Sequence, residues 1–124
     1  MTILDRIGTI DDFWTREFAF YVNEHRHPGN RATHMIGIPI LVGTAVVGLL
    51  TWNPWLIVGG QVVGWAFQLV GHRIEGNKPA LLKRPISFLM GPVMVTVEIL
   101  ETFGARFAFA EEARALVFGA PATR

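Results

Sequence analysis

Apolar residues recur every three or four positions along the first two dozen residues: Ile3, Ile7, Ile10, Trp14, Phe18 and Tyr21 form one stripe, with Leu4 beside it. That spacing is the period of an α-helix. Asp5, Arg6, Asp11, Asp12, Arg16 and Glu17 fall mostly off the stripe. Residues 3–25 are therefore expected to form an amphipathic helix lying on a membrane or on a helical bundle. Thr9 followed by Asp12 resembles a capping box with aspartate in the acidic place. The stripe stays in register to His25, after which Pro28-Gly29 predicts a turn.

Two uncharged runs follow. Met35 to Trp52 spans 18 residues, which as a helix rise about 27 Å, enough for a tilted or slightly short membrane crossing. Asn53-Pro54 reads as a turn, and Trp55 to Gly71 is a second run of 17 residues. Gly43, Gly48, Gly59, Gly60, Gly64 and Gly71 would let the two helix backbones approach closely in lipid. Trp52 and Trp55 flank the turn, where aromatic rings favour the membrane interface. A third apolar run, Ile86 to Val97, contains Gly91-Pro92 and ends at Glu98, which predicts a kinked or re-entrant helix. An acid at that depth is expected to face the bundle interior or a partner. The tail, 104–118, reads as an amphipathic helix, with Phe107, Phe109, Leu116 and Phe118 against Glu111, Glu112 and Arg114. There is no internal repeat. The expected fold is all-α: a single domain over 1–124, a small integral membrane bundle with an N-terminal amphipathic helix, two spanning helices and the kinked third.

Composition supports lipid as the solvent. Hydrophobic residues make up 51% of the 124 and charged residues 17%, against about 25% charged in soluble domains; the mean hydropathy is +0.37. The net charge of +1 says little, but its distribution does. Arg26 and Arg31 precede the first run, Arg73, Lys78, Lys83 and Arg84 follow the second, and the turn between them carries no charge. The positive-inside rule puts both basic segments in the cytoplasm and the Asn53-Pro54 turn outside. With acids in the first dozen residues and no basic start, no cleavable signal peptide is expected. The absence of cysteine excludes disulfides, thiolate metal sites and cysteine nucleophiles.

All four histidines, His25, His27, His34 and His72, fall at the basic face. A two-span hairpin makes neighbours of His34 and His72, 38 positions apart. Neutral imidazole is the commonest protein metal ligand, so the set predicts a metal site, although imidazole alone suits zinc, iron, copper and nickel equally. Four histidines are too few for the di-iron sites of membrane desaturases. Glu75, three residues beyond His72, shares its helix face and would either offer or orient a ligand, or pair with Arg73 or Lys78.

The run from Tyr21 through His25-Arg26-His27-Pro28-Gly29-Asn30-Arg31 to His34-Met35-Ile36-Gly37-Ile38-Pro39 resembles the first signature of the 2-hydroxy fatty acid dioxygenase family of membrane proteins. The run from Gln68 through Gly71-His72-Arg73-Ile74-Glu75-Gly76-Asn77-Lys78-Pro79 to Leu81 resembles the second, and the likeness covers about residues 15–100. It implies a ferrous-iron, dioxygen-consuming enzyme of fatty acid α-oxidation that shortens a 2-hydroxy acid by one carbon. His25, His34 and His72 would be iron ligands, with His27 as a fourth candidate. Glu75 would receive the free ring N–H of a ligand histidine, and Arg26, Arg31 and Lys78 would hold the substrate carboxylate. The expected partners are substrate, dioxygen and membrane lipid, with a second copy of the chain allowed and no nucleic acid; the expected place is a bacterial inner membrane, histidines on the cytoplasmic side. The alternatives are a zinc hydrolase with Glu75 as base, and a non-enzymatic metal-binding membrane module.

Overall fold

The computed structural model describes residues 2–119, and within them it contains seven helices and no strand. In chain order these are α1 (Ile3–Gly8), α2 (Phe13–Glu24), α3 (Pro28–Leu50), α4 (Pro54–Glu75), the single turn α5 (Ala80–Lys83), α6 (Ser87–Thr102) and α7 (Ala108–Phe118).

The amphipathic stretch expected as one helix over 3–25 is two. Thr9 closes α1, and Asp12 caps α2 by accepting the Thr15 backbone N–H and hydroxyl, both at 2.8 Å. The capping box sits earlier, between Thr2 and Asp5. The apolar stripe survives the break because Ile7 and Ile10 both still pack on the core. Pro28-Gly29 is likewise not a turn but the start of α3. Proline is tolerated at the first helical position, where its missing N–H has no partner to lose. The tail helix begins at Ala108 rather than 104.

Helices α3 and α4 form an antiparallel hairpin, turned at Asn53, whose side chain accepts the Leu56 N–H at 3.1 Å. Small residues set the spacing. A Cβ on Gly60 would stand 1.8 Å from Thr44 Oγ1, one on Gly64 2.5 Å from Leu41, and one on Gly71 2.1 Å from Thr33 Oγ1. Gly37 and Gly48 are equally closed in, whereas Gly43 and Gly59 face open space and take no part. The hairpin's outer faces are apolar and exposed: Ile36, Val46, Val47 and Leu50 on α3, Val58, Val62, Val63 and Val70 on α4. Of the two helices expected to span, α3 is long and apolar enough to cross a membrane. α4 has the length, but Gln61 and Gln68 dilute its apolar character, and both line an interior cavity.

A second packing centre lies where α2 meets α6 and α7. Phe18, Ala19, Tyr21 and Val22 pack with Met90, Met94, Val97, Ala110, Ala113 and Val117. α6 runs unbroken through Pro92. Two buried acids of α2 bind the segment between α4 and α6: Glu17 pairs with Arg84, and Glu24 with Lys83 at 3.0 Å. Glu98, at the end of the apolar run, faces Arg31 at 3.9 Å.

Candidate metal centre

Three helices deliver three imidazoles to one point. His25 ends α2, His34 lies two turns into α3, and His72 lies in the last turn of α4. They retain 1%, 5% and 3% of their surface, and a ligand atom from each lies within 4.8 Å of the others. The rings stand nearly edge-to-face, at interplanar angles of 80°, 72° and 87°.

Each ring is tethered through Nδ1. His25 Nδ1 bonds to the Tyr21 carbonyl at 2.7 Å, His34 Nδ1 to the Asn30 carbonyl at 2.8 Å, and His72 Nδ1 to Asn77 Oδ1 at 2.8 Å. Carbonyl oxygens only accept, so Nδ1 carries the proton in His25 and His34, and Nε2 presents a lone pair. Those two Nε2 atoms are 3.1 Å apart. Facing lone pairs repel unless a cation lies between them. Two nitrogens each about 2.1 Å from one ion, at about 90–110°, would be about 3.0–3.4 Å apart. A proton is a poor substitute, because burial, then the neighbouring His34, push His25 down to about 2. The donor set therefore fits a metal ion, and all three tethers are of the kind that orients metal-binding histidines.

The His72 tether is itself held. Gly76 adopts a left-handed conformation (φ 82°) that only glycine takes readily, and its N–H returns to the His72 carbonyl. The turn carries Asn77 back beside His72. Asn77 Nδ2 donates to the Glu24 carbonyl at 2.9 Å and to Glu24 Oε2 at 3.0 Å, leaving Oδ1 for the imidazole.

The other residues singled out in the sequence lie elsewhere. His27 is exposed and caps α3, its Nδ1 accepting the Gly29 N–H at 2.9 Å. Glu75 touches none of the three rings. Its Oε1 accepts the His27 backbone N–H at 2.7 Å and Asn30 Nδ2 at 3.2 Å, at the N-terminus of α3, where the helix dipole favours an anion. Arg26 lies over the Phe118 ring, 5.7 Å from its centroid; Arg31 faces Glu98; Lys78 is exposed.

The histidines open onto a cavity of about 310 Å³ between α3, α4 and α6. Its lining along α3 runs from His34 to Val46, a rise of about 18 Å. Ile38, Leu41, Val42, Trp65 and Phe88 make most of it apolar, and none of the described residues that line it is charged. Its polar lining beyond the histidines is Tyr21, Gln61, Gln68 and Ser87. Tyr21 stacks on His25, ring centroids 3.9 Å apart. Val42 and Val46, which line it, are also exposed, so the cavity is not sealed off along α3. Asn77, Gln68 and Ser87 went unassigned in the sequence reading, although Gln68 and Asn77 lie within its second signature.

A family model described as 2-hydroxy-palmitic acid dioxygenase Mpo1-like matches residues 12–103. No curated protein and no solved structure matches the chain.

Proposed function

The chain belongs to the 2-hydroxy-palmitic acid dioxygenase Mpo1-like family, and from that premise we propose that it is a ferrous-iron dioxygenase that shortens 2-hydroxy fatty acids by one carbon. The observation that carries the reading is the set of three tethered imidazoles opening onto a long apolar cavity. His25, His34 and His72 hold the iron; His27, committed to capping α3, does not. Three ligands leave coordination positions free, as non-haem iron oxygenases require.

The overall reaction balances without an outside reductant. A 2-hydroxy acid plus dioxygen gives the acid one carbon shorter, carbon dioxide and water, and the four electrons removed from substrate are the four that dioxygen takes up. Iron supplies the one-electron chemistry that lets dioxygen react with a closed-shell substrate. The protein's own part is positional. The Nδ1 tethers hold the Nε2 lone pairs at a common point. Tyr21 backs the His25 ring, and burial keeps its phenol protonated by pushing its pKa up. Ile38, Leu41, Val42 and Trp65 take the start of the acyl chain and exclude water. Against the zinc hydrolase alternative, Glu75 is bound at the start of α3, and among the described residues no carboxylate lines the cavity.

The apolar outer faces support a membrane setting for the whole domain, with α4 crossing beside α3 because the hairpin puts both at the same depth. The basic segments support a cytoplasmic position for the histidine end. The test is metal analysis of protein purified under argon, followed by product analysis with 2-hydroxypalmitate. Iron near one per chain and dioxygen-dependent formation of pentadecanoic acid and carbon dioxide are expected. Zinc in its place, or turnover without dioxygen, would overturn the reading.

A further inference from the structure

Two residues that line the cavity carry unmatched polar groups. Of its uncharged polar side chains, Gln61 donates to the Leu41 carbonyl at 3.0 Å. Among the described residues, Gln68 Nε2 and Ser87 Oγ have no hydrogen-bond partner, although each residue is only 4% exposed. Native folds leave few buried donors unmatched, because each forfeits its bonds to water. Here the two come from different helices, α4 and α6, and both line the same cavity as the three histidines. Gln68 lies one helical turn before His72, on the same face. Room for its amide is made by Gly37, where a Cβ would stand 2.7 Å from Nε2. Arg26, Arg31 and Lys78 all lie outside that lining.

We propose that Gln68 and Ser87 are the specificity-determining contacts for the polar head of the substrate, holding its carboxylate and hydroxyl oxygens through hydrogen bonds from uncharged donors inside the cavity. The proposal rests on the dioxygenase reading for the identity of the ligand. An amide N–H and a hydroxyl can both donate to carboxylate oxygens, and the hydroxyl can also accept from the 2-hydroxyl group. In an apolar setting such bonds are stronger than in water. They also disfavour a chain without the carboxylate, which cannot satisfy both donors at once.

The experiment measures equilibrium binding of 2-hydroxypalmitate and of 1-hexadecanol, under argon, to the full-length protein in lipid nanodiscs. It compares wild type with Gln68→Leu, Ser87→Ala and Ser87→Thr, with metal content and thermal midpoint recorded for each. Gln68→Leu and Ser87→Ala should each weaken 2-hydroxypalmitate binding roughly tenfold or more, while hexadecanol binding, metal content and midpoint stay near wild type. Ser87→Thr keeps the hydroxyl and should keep most of the affinity. Unchanged 2-hydroxypalmitate affinity in both deletions would overturn the proposal. So would a parallel fall for both ligands with a lowered midpoint, which marks a packing role. If wild type itself does not prefer 2-hydroxypalmitate over hexadecanol, the dioxygenase reading fails first, and the two failures are told apart by that control.

Discussion

Replacing Asn77 by alanine removes a side chain that touches no ligand atom, yet it should strip the site of much of its metal affinity. Three hydrogen bonds go together. His72 loses the acceptor that fixes its tautomer, at 2.8 Å, and Glu24 loses an amide donor to its carbonyl at 2.9 Å and to its carboxylate at 3.0 Å. A neutral hydrogen bond of this kind contributes about 1 kcal/mol and one to a charged group about 1.5–3 kcal/mol. Since Asn77 is half-buried and water can partly replace it, a loss of roughly 2 kcal/mol in folding stability is expected. Metal affinity should fall about 10- to 100-fold, the usual effect of losing a partner of a ligand histidine. Asn77→Asp separates the two contributions. Its carboxylate can still receive the imidazole N–H, but it faces Glu24 without a proton to share, so it should lose stability while keeping more of the affinity than alanine does. The assay is competition with a chelator of known affinity, alongside denaturant unfolding of the metal-free protein. Wild-type metal affinity in Asn77→Ala would refute the claim that this amide orients His72.

Gly71→Ala should lower stability by about 1–3 kcal/mol and reduce metal binding, since the new methyl would meet Thr33 Oγ1 at 2.1 Å and Asn30 Oδ1 at 2.4 Å, beside the carbonyl that holds His34; unchanged unfolding would show that the hairpin can part there freely. His27→Ala should keep its metal and lose only a cap, about 0.5–2 kcal/mol, whereas His25→Ala, His34→Ala or His72→Ala should each lose most of it; metal loss in His27→Ala equal to theirs would make it a fourth ligand. The metal-free protein should weaken in acid. His25 is held down to about 2 when folded but takes a proton near 6.5 when unfolded, so the unfolded chain binds more protons below 6.5 and stability falls with pH there. The loss between pH 7.5 and pH 5 should be about 2 kcal/mol from this residue, and a denaturant midpoint that does not move over that range would contradict its buried, neutral state.

The hairpin and the meeting of His34 with His72 were legible because both follow from long features: two uncharged runs and one turn. His25 joined them through the helical stripe that carries it. What escaped was decided by local geometry. The break at Thr9–Asp12 leaves no gap in the apolar pattern, since Ile7 and Ile10 stay on the core through it. Pro28-Gly29 could open a helix or make a turn, and the choice rests on His27 turning its ring back to cap Gly29. Glu75 shares a helix face with His72, which spacing shows, but spacing cannot show that the start of α3 lies nearer to its carboxylate than the imidazole does. Asn77 lies beyond the helix end, where the left-handed turn at Gly76 rather than any period decides what it reaches. Arg26, Arg31 and Lys78 were expected at the substrate carboxylate from their charge; they do not line the cavity, and charge along the chain does not show which side chains face it.

The three imidazoles come from widely separated points of the chain, and His25 and His72 are 47 residues apart (72 − 25). An ion shared between them would close that loop as a cross-link would, and the unfolded chain has no preformed counterpart of the site. With the site filled, folding would be linked to the free concentration of metal. At 100 times the dissociation constant the gain would be about 2.7 kcal/mol, and it would vanish on chelation. A melting temperature for such a protein would be a joint property of chain and ion supply, and two variants would be comparable only at the same free metal concentration.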